Sequence, residues 1–232
     1  MSSDRVGKTL ALAVVLLATA VLAFGLFLPA ASAEEAVVDP VDAILARLAE
    51  SYAGLTSLQS DFVQTSSGMS YPEPFVQKGT LALEPPARLR WSFEEPRKQA
   101  FISDGSTLWV VDEGEKTCTI FRKVDQTITQ FYELLTGMAK VRKEFRVSLS
   151  EASEARAGAD SLKLVSRGDS TGLGTIHVHV SRDSGLVTAV TTLSPFGDRT
   201  ELELMQIKTG VDLPDGLFVW TSRDGFQEIE GG

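Results

Sequence analysis

The chain has little with which to do covalent chemistry. Of its 232 residues one is a cysteine, Cys118, and two are histidines, His177 and His179. A lone thiol makes no internal disulfide even in an oxidising compartment. Cys118, close to Ile120, reads as a small core residue. The two histidines alternate on a strand-like run opposite Ile176, Val178 and Val180, so they share one face and read as solvent-facing. Two imidazoles fall short of a zinc ligand set, and no cluster of Cys, Asp or Glu supplies the remainder, so no metal or other cofactor is expected. The sequence has no Gly-x-Ser-x-Gly elbow and no His-Glu-x-x-His, and no Gly-Lys-Ser/Thr follows the glycines Gly172 and Gly174. Positive charge is short as well: 22 Lys and Arg stand against 31 Asp and Glu, for a net charge of −9. Such a surface opposes nucleic acid and anionic headgroups, so membranes are expected to be met only through partners. An exported hydrolase using Cys118 or the histidine pair is the one enzymatic reading left, and no motif favours it.

Long apolar runs are scarce too. The one present, Leu10 to Leu28, follows the basic residues Arg5 and Lys8 and ends at Pro29. Ala31-Ser32-Ala33 before Glu34-Glu35 is a cleavage signal, so residues 1–33 are expected to be a signal peptide. If retained, the run is long enough to act as an anchor. No twin arginine precedes it, which favours the general secretory route, and no cysteine stands at the cleavage site, which argues against a lipid-anchored product. Residues 34–232 fit one domain of ordinary size.

What is abundant is alternation. Asp39-Pro40 is a helix start, and Val41, Ile44, Leu45, Leu48 and Tyr52 follow at helical spacing. Leu55, Leu58 and Phe62 lead into a first strand centred on Ser60–Thr65, and Ser66–Pro74 reads as a loop. Strands are expected near Phe75–Glu84, Arg88–Glu94, Gln99–Ser103, Thr107–Asp112 and Cys118–Arg122. The strand Leu108 to Val111 is apolar on both faces, so something must cover each. Thr127–Gly137 returns to helical spacing through Ile128, Phe131, Leu134, Leu135 and Met138. Alternation resumes at Phe145 to Leu149, Leu162 to Leu164, Ile176 to Val180, Val187 to Leu193 and Leu202 to Leu204, with Ala152–Ala159 as a polar loop. An apolar strand around Leu217 and Val219 closes the pattern. Many short strands with Gly, Pro and Asp turns indicate an antiparallel sandwich or barrel.

The densest signal runs from Gly79 to Val111, GTLALEPPARLRWSFEEPRKQAFISDGSTLWVV. Leu81 and Leu83 share one face, as do Leu89, Trp91 and Phe93, and Asp104-Gly105 marks a tight turn. This order of glycine, alternating strand, proline, apolar-x-Trp, a further proline and Ser-Asp-Gly-x-x-Leu-Trp resembles the LolA family of periplasmic lipoprotein carriers. The run Leu55, Leu58, Phe62 and Gln64 matches the family's passage from N-terminal helix into sheet.

The resemblance implies an α+β, mainly antiparallel β fold, an incomplete, unclosed β-barrel covered by a helical lid. It implies a non-enzymatic carrier in the periplasm, a monomer without cofactor or nucleic-acid partner. The cargo would be acylated lipoproteins, taken from an inner-membrane ABC-type lipoprotein exporter and passed to an outer-membrane lipoprotein receptor. A LolA-like lipid carrier or envelope sensor in another pathway is the alternative. On this resemblance the lipid-binding cavity and lid are expected from Leu45, Leu48, Leu81, Leu83, Leu89, Trp91, Phe93, Ile128, Phe131, Leu135 and Met138, with Ile44 beside them. Periodicity alone does not separate a filled core from a cavity. Many members of the family carry a basic residue before the first proline that helps tie lid to sheet, and here Pro85 stands at that place. Arg88 and Arg90 are the candidate replacements, although Arg90, alternating with Trp91, also reads as a solvated residue on the outer face.

Overall fold

Asp39 accepts the Val41 backbone N–H at 2.9 Å and Pro40 opens helix α1, Pro40–Ala53, as the cap-then-proline signal requires. The computed structural model describes residues 39–122, 141–168 and 174–231. Within them the chain forms strands β1 (Leu58–Gly68), β2 (Tyr71–Glu84), β3 (Arg88–Glu95), β4 (Gln99–Ser103), β5 (Leu108–Asp112) and β6 (Thr117–Phe121). A one-turn helix α2 (Val141–Glu144) precedes β7 (Phe145–Leu149), β8 (Ala159–Ser166), β9 (Thr175–Ser181), β10 (Val187–Leu193), β11 (Arg199–Thr209) and β12 (Gln227–Glu230). The helix expected at Thr127–Gly137 and the signal segment 1–33 lie outside the described residues.

All described strands join one sheet in the order β12-β6-β5-β4-β3-β2-β1-β11-β10-β9-β8-β7. Every pairing is antiparallel except β12 on β6, and the end strands do not pair with each other, so the barrel is not closed. Strand alternation gives the sheet an inner face, where α1 lies. Val41, Ile44, Leu48 and Tyr52 of the helix join Leu58, Phe62, Leu81, Leu83, Leu89, Phe93, Leu162, Leu164, Ile176, Val178 and Val180 in one buried cluster. Each such side chain contributes on the order of 2 kcal/mol by leaving water. Polar contacts pin α1 to one half of the sheet. Arg47 pairs with Asp160 on β8, Ser51 Oγ donates to the Ser184 carbonyl at 2.9 Å, and the Tyr52 hydroxyl accepts the Val187 N–H at 3.3 Å. Burial pushes the Tyr52 phenol up to about 12, so it stays neutral.

One glycine lets the inner face close. Gly79 is the register partner of both Phe62 on β1 and Phe93 on β3. A Cβ there would sit 1.8 Å from the Ser92 carbonyl oxygen and 3.0 Å from the Phe62 ring. The missing side chain is what allows the two rings to meet over β2.

Two segments cover the outer face. Ala100, Ile102, Val111, Cys118 and Ile120 form an apolar patch on β4–β6, against which Trp220 and Phe226 of the C-terminal segment pack. This supplies the second cover that the two-faced β5 demanded. The expected strand around Leu217 and Val219 is instead a short 3-10 helix, Asp215–Phe218, with Phe218 fully buried. Its backbone follows the arginines of β3 rather than a strand ladder. The second cover is polar. Residues 150–158, with a 3-10 turn at Ala152–Glu154, lie over β8–β11 through Glu154–Arg199 contacts of 2.9 and 3.0 Å and through Arg156 on Glu201 and Glu203.

That segment reverses the expectation for the histidines, which are 2% and 0% exposed. His177 Nδ1 bonds Ser150 Oγ and His179 Nδ1 bonds Ser161 Oγ, each at 2.8 Å, while His179 Nε2 has no partner. Pattern alone could not show that a distant polar segment folds over them. A second correction concerns Ser66–Pro74. Most of it is strand, because pairing of β1 with β11 carries the chain to Gly68 and β2 resumes at Tyr71. Pro72 and Pro74 are tolerated because β2 meets β3 only from Lys78 onward.

Two outcomes follow from these packings. Gly79→Ala should cost about 3 kcal/mol of unfolding free energy in urea, since neither a carbonyl nor a packed ring can give way; an unchanged midpoint would show the register to be looser. For His179, burial first, then the Arg156 guanidinium and His177, lower the imidazole from 6.5 to about 4. The folded state therefore binds fewer protons than the unfolded chain between those values. Its contribution is complete above about pH 6.5 and is lost as pH falls toward 4, by up to about 3 kcal/mol. Urea titrations at several pH values should show His179→Gln to be less acid-sensitive than the parent; parallel pH profiles would refute the assignment.

Candidate functional site: the inner apolar face

Register places the inner-face residues in rows. Leu58, Leu83 and Leu89 form one row, Ser60, Leu81, Trp91 and Phe101 the next, and Phe62, Gly79 and Phe93 the third. No residue in these rows is charged. At the far end Gln64 and Gln77 hydrogen-bond at 3.1 Å, a polar boundary to the apolar field. The aromatic side chains form a single group. Phe62 stands edge-on to Trp91 at 5.8 Å and to Phe93 at 5.1 Å. Trp91 stacks on Phe93 at 5.2 Å and 30°, and Phe101 lies 6.1 Å from Trp91 and 6.2 Å from Phe93. Edge-on and offset arrangements of this kind are the favourable ones for aromatic rings.

The expected lining set divides by burial. Leu48, Leu81, Leu83 and Leu89 are at most 1% exposed and Phe93 is 7% exposed, so they are packed floor. Leu45 and Trp91 are only partly buried against the same cluster. Phe101, which the sequence pattern did not single out, is partly buried in the same way, and Phe62 is fully buried beneath the group. Its signal was available in outline, because Phe101 alternates with Ala100 and Ile102 on the strand after the Trp91 strand. What was missing was the register that sets Phe101 directly opposite Trp91. Ile128, Phe131, Leu135 and Met138 lie outside the described residues.

The two arginines considered as ties between lid and sheet have these partners among the described residues. Both lie on the outer face. Arg88 pairs with Glu84 at 2.7 Å and with Asp215 at 2.8 Å, and its guanidinium sits 4.6 Å from the centre of the Phe218 ring. Arg90 donates to the Leu217 carbonyl at 3.0 Å and to Ser92 Oγ at 3.1 Å. Their described contacts hold the C-terminal segment. Burial lowers Arg90 from its ordinary value, with Arg223 adding to the effect.

The side chains that could do acid–base or nucleophilic work are sealed and far apart among the described residues. Burial raises the Cys118 thiol to about 11, so it stays protonated beneath the C-terminal segment. His177 and His179 lie on β9, separated from Cys118 on β6 by the seven strands β5, β4, β3, β2, β1, β11 and β10. Among the described residues no three His, Cys, Asp or Glu side chains come together as metal ligands, and no helix is long and apolar enough to cross a membrane. What the described residues bring together here is an apolar face with an aromatic group whose Trp91 and Phe101 are only partly buried.

Comparison with known proteins agrees. The chain is 28% identical over 179 residues to an outer-membrane lipoprotein carrier protein of Bordetella avium, covering 77% of this chain and 83% of that protein. A protein of the same description from Dechloromonas aromatica is also 28% identical, over 170 residues, with 73% and 79% covered. Among solved structures, an uncharacterised conserved protein of Thermus thermophilus superposes with a TM-score of 0.53 at 16% identity, covering 83% of this chain and all of that one, which supports the fold. The family model for the outer membrane lipoprotein carrier protein LolA matches residues 53–221, from the end of α1 to the C-terminal segment on the outer face, and the chain therefore belongs to the LolA family.

Proposed function

We propose that this protein is a periplasmic carrier that shields the acyl chains of lipoproteins leaving the inner membrane and passes them to a receptor at the outer membrane. The observation that carries the reading is the half-buried aromatic group around Trp91 and Phe101, in rows of the inner face whose residues on β1–β4 are all uncharged. Membership in a family of carriers, rather than enzymes, supports it.

The energetics define how such a carrier must work. An acyl chain of about sixteen carbons costs roughly 12 kcal/mol to leave in water, at about 0.8 kcal/mol per methylene. Three chains would exceed the roughly 20 kcal/mol at which non-covalent affinity saturates. The carrier cannot hold that whole sum as binding energy and still release its load, so part must go into displacing whatever covers the empty site. Aromatic rings at the margin suit this because they pack against one another when the site is empty and against methylene chains when it is filled. Helix α1 is tied by Arg47, Ser51 and Tyr52 to β8, β10 and the β9–β10 turn, which makes it the fixed part of the cover. The inner-membrane partner would be an ABC-type exporter and the acceptor an outer-membrane lipoprotein receptor.

Mass spectrometry of the mature protein isolated from the periplasm should find a co-purifying acylated protein. Replacing Trp91 and Phe101 together by alanine should lower that yield about tenfold at preserved folding. Absence of any acylated companion, or equal yield from the double variant, would remove the reading.

A further inference from the structure

Two hairpin tips carry the most exposed large apolar side chains among the described residues. Met69, between β1 and β2, is 92% exposed, and Phe196, between β10 and β11, is 81% exposed. Single exposed apolar residues are ordinary, but these two stand on tips that are braced together. Asp198 accepts the Ser70 N–H at 3.0 Å and the Ser70 hydroxyl at 2.6 Å, which joins the first tip to the second. The Phe196 turn is closed on itself. Ser194 Oγ accepts the N–H groups of Phe196 at 3.2 Å and Asp198 at 3.0 Å, and the Ser194 N–H donates to the Asp198 carbonyl at 2.8 Å. Polar groups thus hold the tips in place while the apolar side chains project into water.

The neighbouring edge narrows what can bind there. Beyond Lys78, residues 71–77 of β2 have no partner on the β3 side. Pro72 and Pro74 remove N–H groups from this free stretch, so it is a poor template for an added strand. Recognition must come from side chains. Phe75 and Val76 of the same stretch are 40% and 43% exposed. There is no lysine or arginine from Gly68 to Gln77 or from Ser194 to Asp198, whereas Glu73 and Asp198 are acidic. The flanking cations Lys78 and Arg199 are paired with Glu95 and Glu154, so this end has little to offer a phosphate or an anionic headgroup. A bilayer interface takes up isolated protruding apolar side chains without needing a shaped pocket.

We propose, resting on the carrier reading above, that the Met69 and Phe196 tips form a wedge that enters the surface of a zwitterionic bilayer reversibly, holding the carrier at the membrane while cargo is exchanged. Two side chains without basic support give shallow and short-lived contact, as a shuttling protein requires. The attraction is apolar, so it should resist salt and weaken on anionic lipid.

The test attaches an environment-sensitive fluorophore at Met69→Cys in a Cys118→Ala background and titrates phosphatidylcholine vesicles. A second label at Asp183→Cys, in the turn at the opposite end of β10, serves as the control. The expected result is a blue-shifted, brighter emission at 69 but not at 183, unchanged by salt and weaker on vesicles containing phosphatidylglycerol. Adding Phe196→Ser should weaken vesicle partitioning about tenfold. No change at 69, an equal change at 183, insensitivity to Phe196→Ser, or tighter binding to the anionic vesicles would each overturn the proposal. The unlabelled Met69→Ser, Phe196→Ser variant should still co-purify with acylated protein. Loss of vesicle binding with cargo retained therefore bears on the wedge, whereas absence of cargo from the parent protein bears on the carrier reading.

Discussion

An open sheet with an apolar inner face cannot satisfy itself. The edges β12 and β7 do not pair with each other, so the face that carries Leu81, Leu89, Trp91 and Phe93 must be covered by other parts of the chain. Much of the architecture follows from that requirement. Helix α1 covers the part over β8–β10 and is locked there by an ion pair, a hydroxyl-to-carbonyl bond and a tyrosine. The part around β1–β4 ends in aromatic side chains, Trp91 and Phe101, that are only partly withdrawn from water, and it is there that the proposed carrier reading puts its load. Stability and function compete for the same surface. Filling the inner face completely would make a better core and a worse carrier.

The outer face meets the opposite need, to be closed. On β4–β6 the closure is apolar, with Trp220 and Phe226 over Ile102, Val111 and Cys118. On β8–β11 it is electrostatic, with Glu154 and Arg156 fixed to Arg199, Glu201 and Glu203 above two neutral histidines. Arg88 and Arg90 belong to the first closure. By holding Asp215 and the Leu217 carbonyl they set the start of the segment that delivers Phe218 and Trp220. A rigid outer layer lets the inner face stay incomplete without the sheet losing its register.

Much of this was legible in the sequence, and the reasons are local. The Asp39-Pro40 cap, the alternation of Leu81, Leu83, Leu89, Trp91 and Phe93, and the Asp104-Gly105 turn each depend on a few neighbouring residues. Even the need for two covers on β5 could be read, because Leu108 to Val111 is apolar on both sides. The failures were equally physical. Ser66 to Pro74 has the composition of a loop, yet ladders on β1 and β2 override it. His177 and His179 occupy outward positions in the alternation, and outward was mistaken for wet. Phe101 was passed over because its importance comes from lying opposite Trp91.

By itself, the order of residues determined the strands, the helix start, the identity of the inward-facing side chains and the family, since these are written in spacings of a few positions. Only the tertiary structure decided what lies over each face, that Arg88 and Arg90 serve the C-terminal segment, and that the histidines are sealed. Those outcomes rest on contacts between segments far apart in the chain, such as Arg88 with Asp215 and Arg90 with Leu217, each 127 positions apart. Periodicity specifies which way a side chain points but carries no information about what will be waiting there.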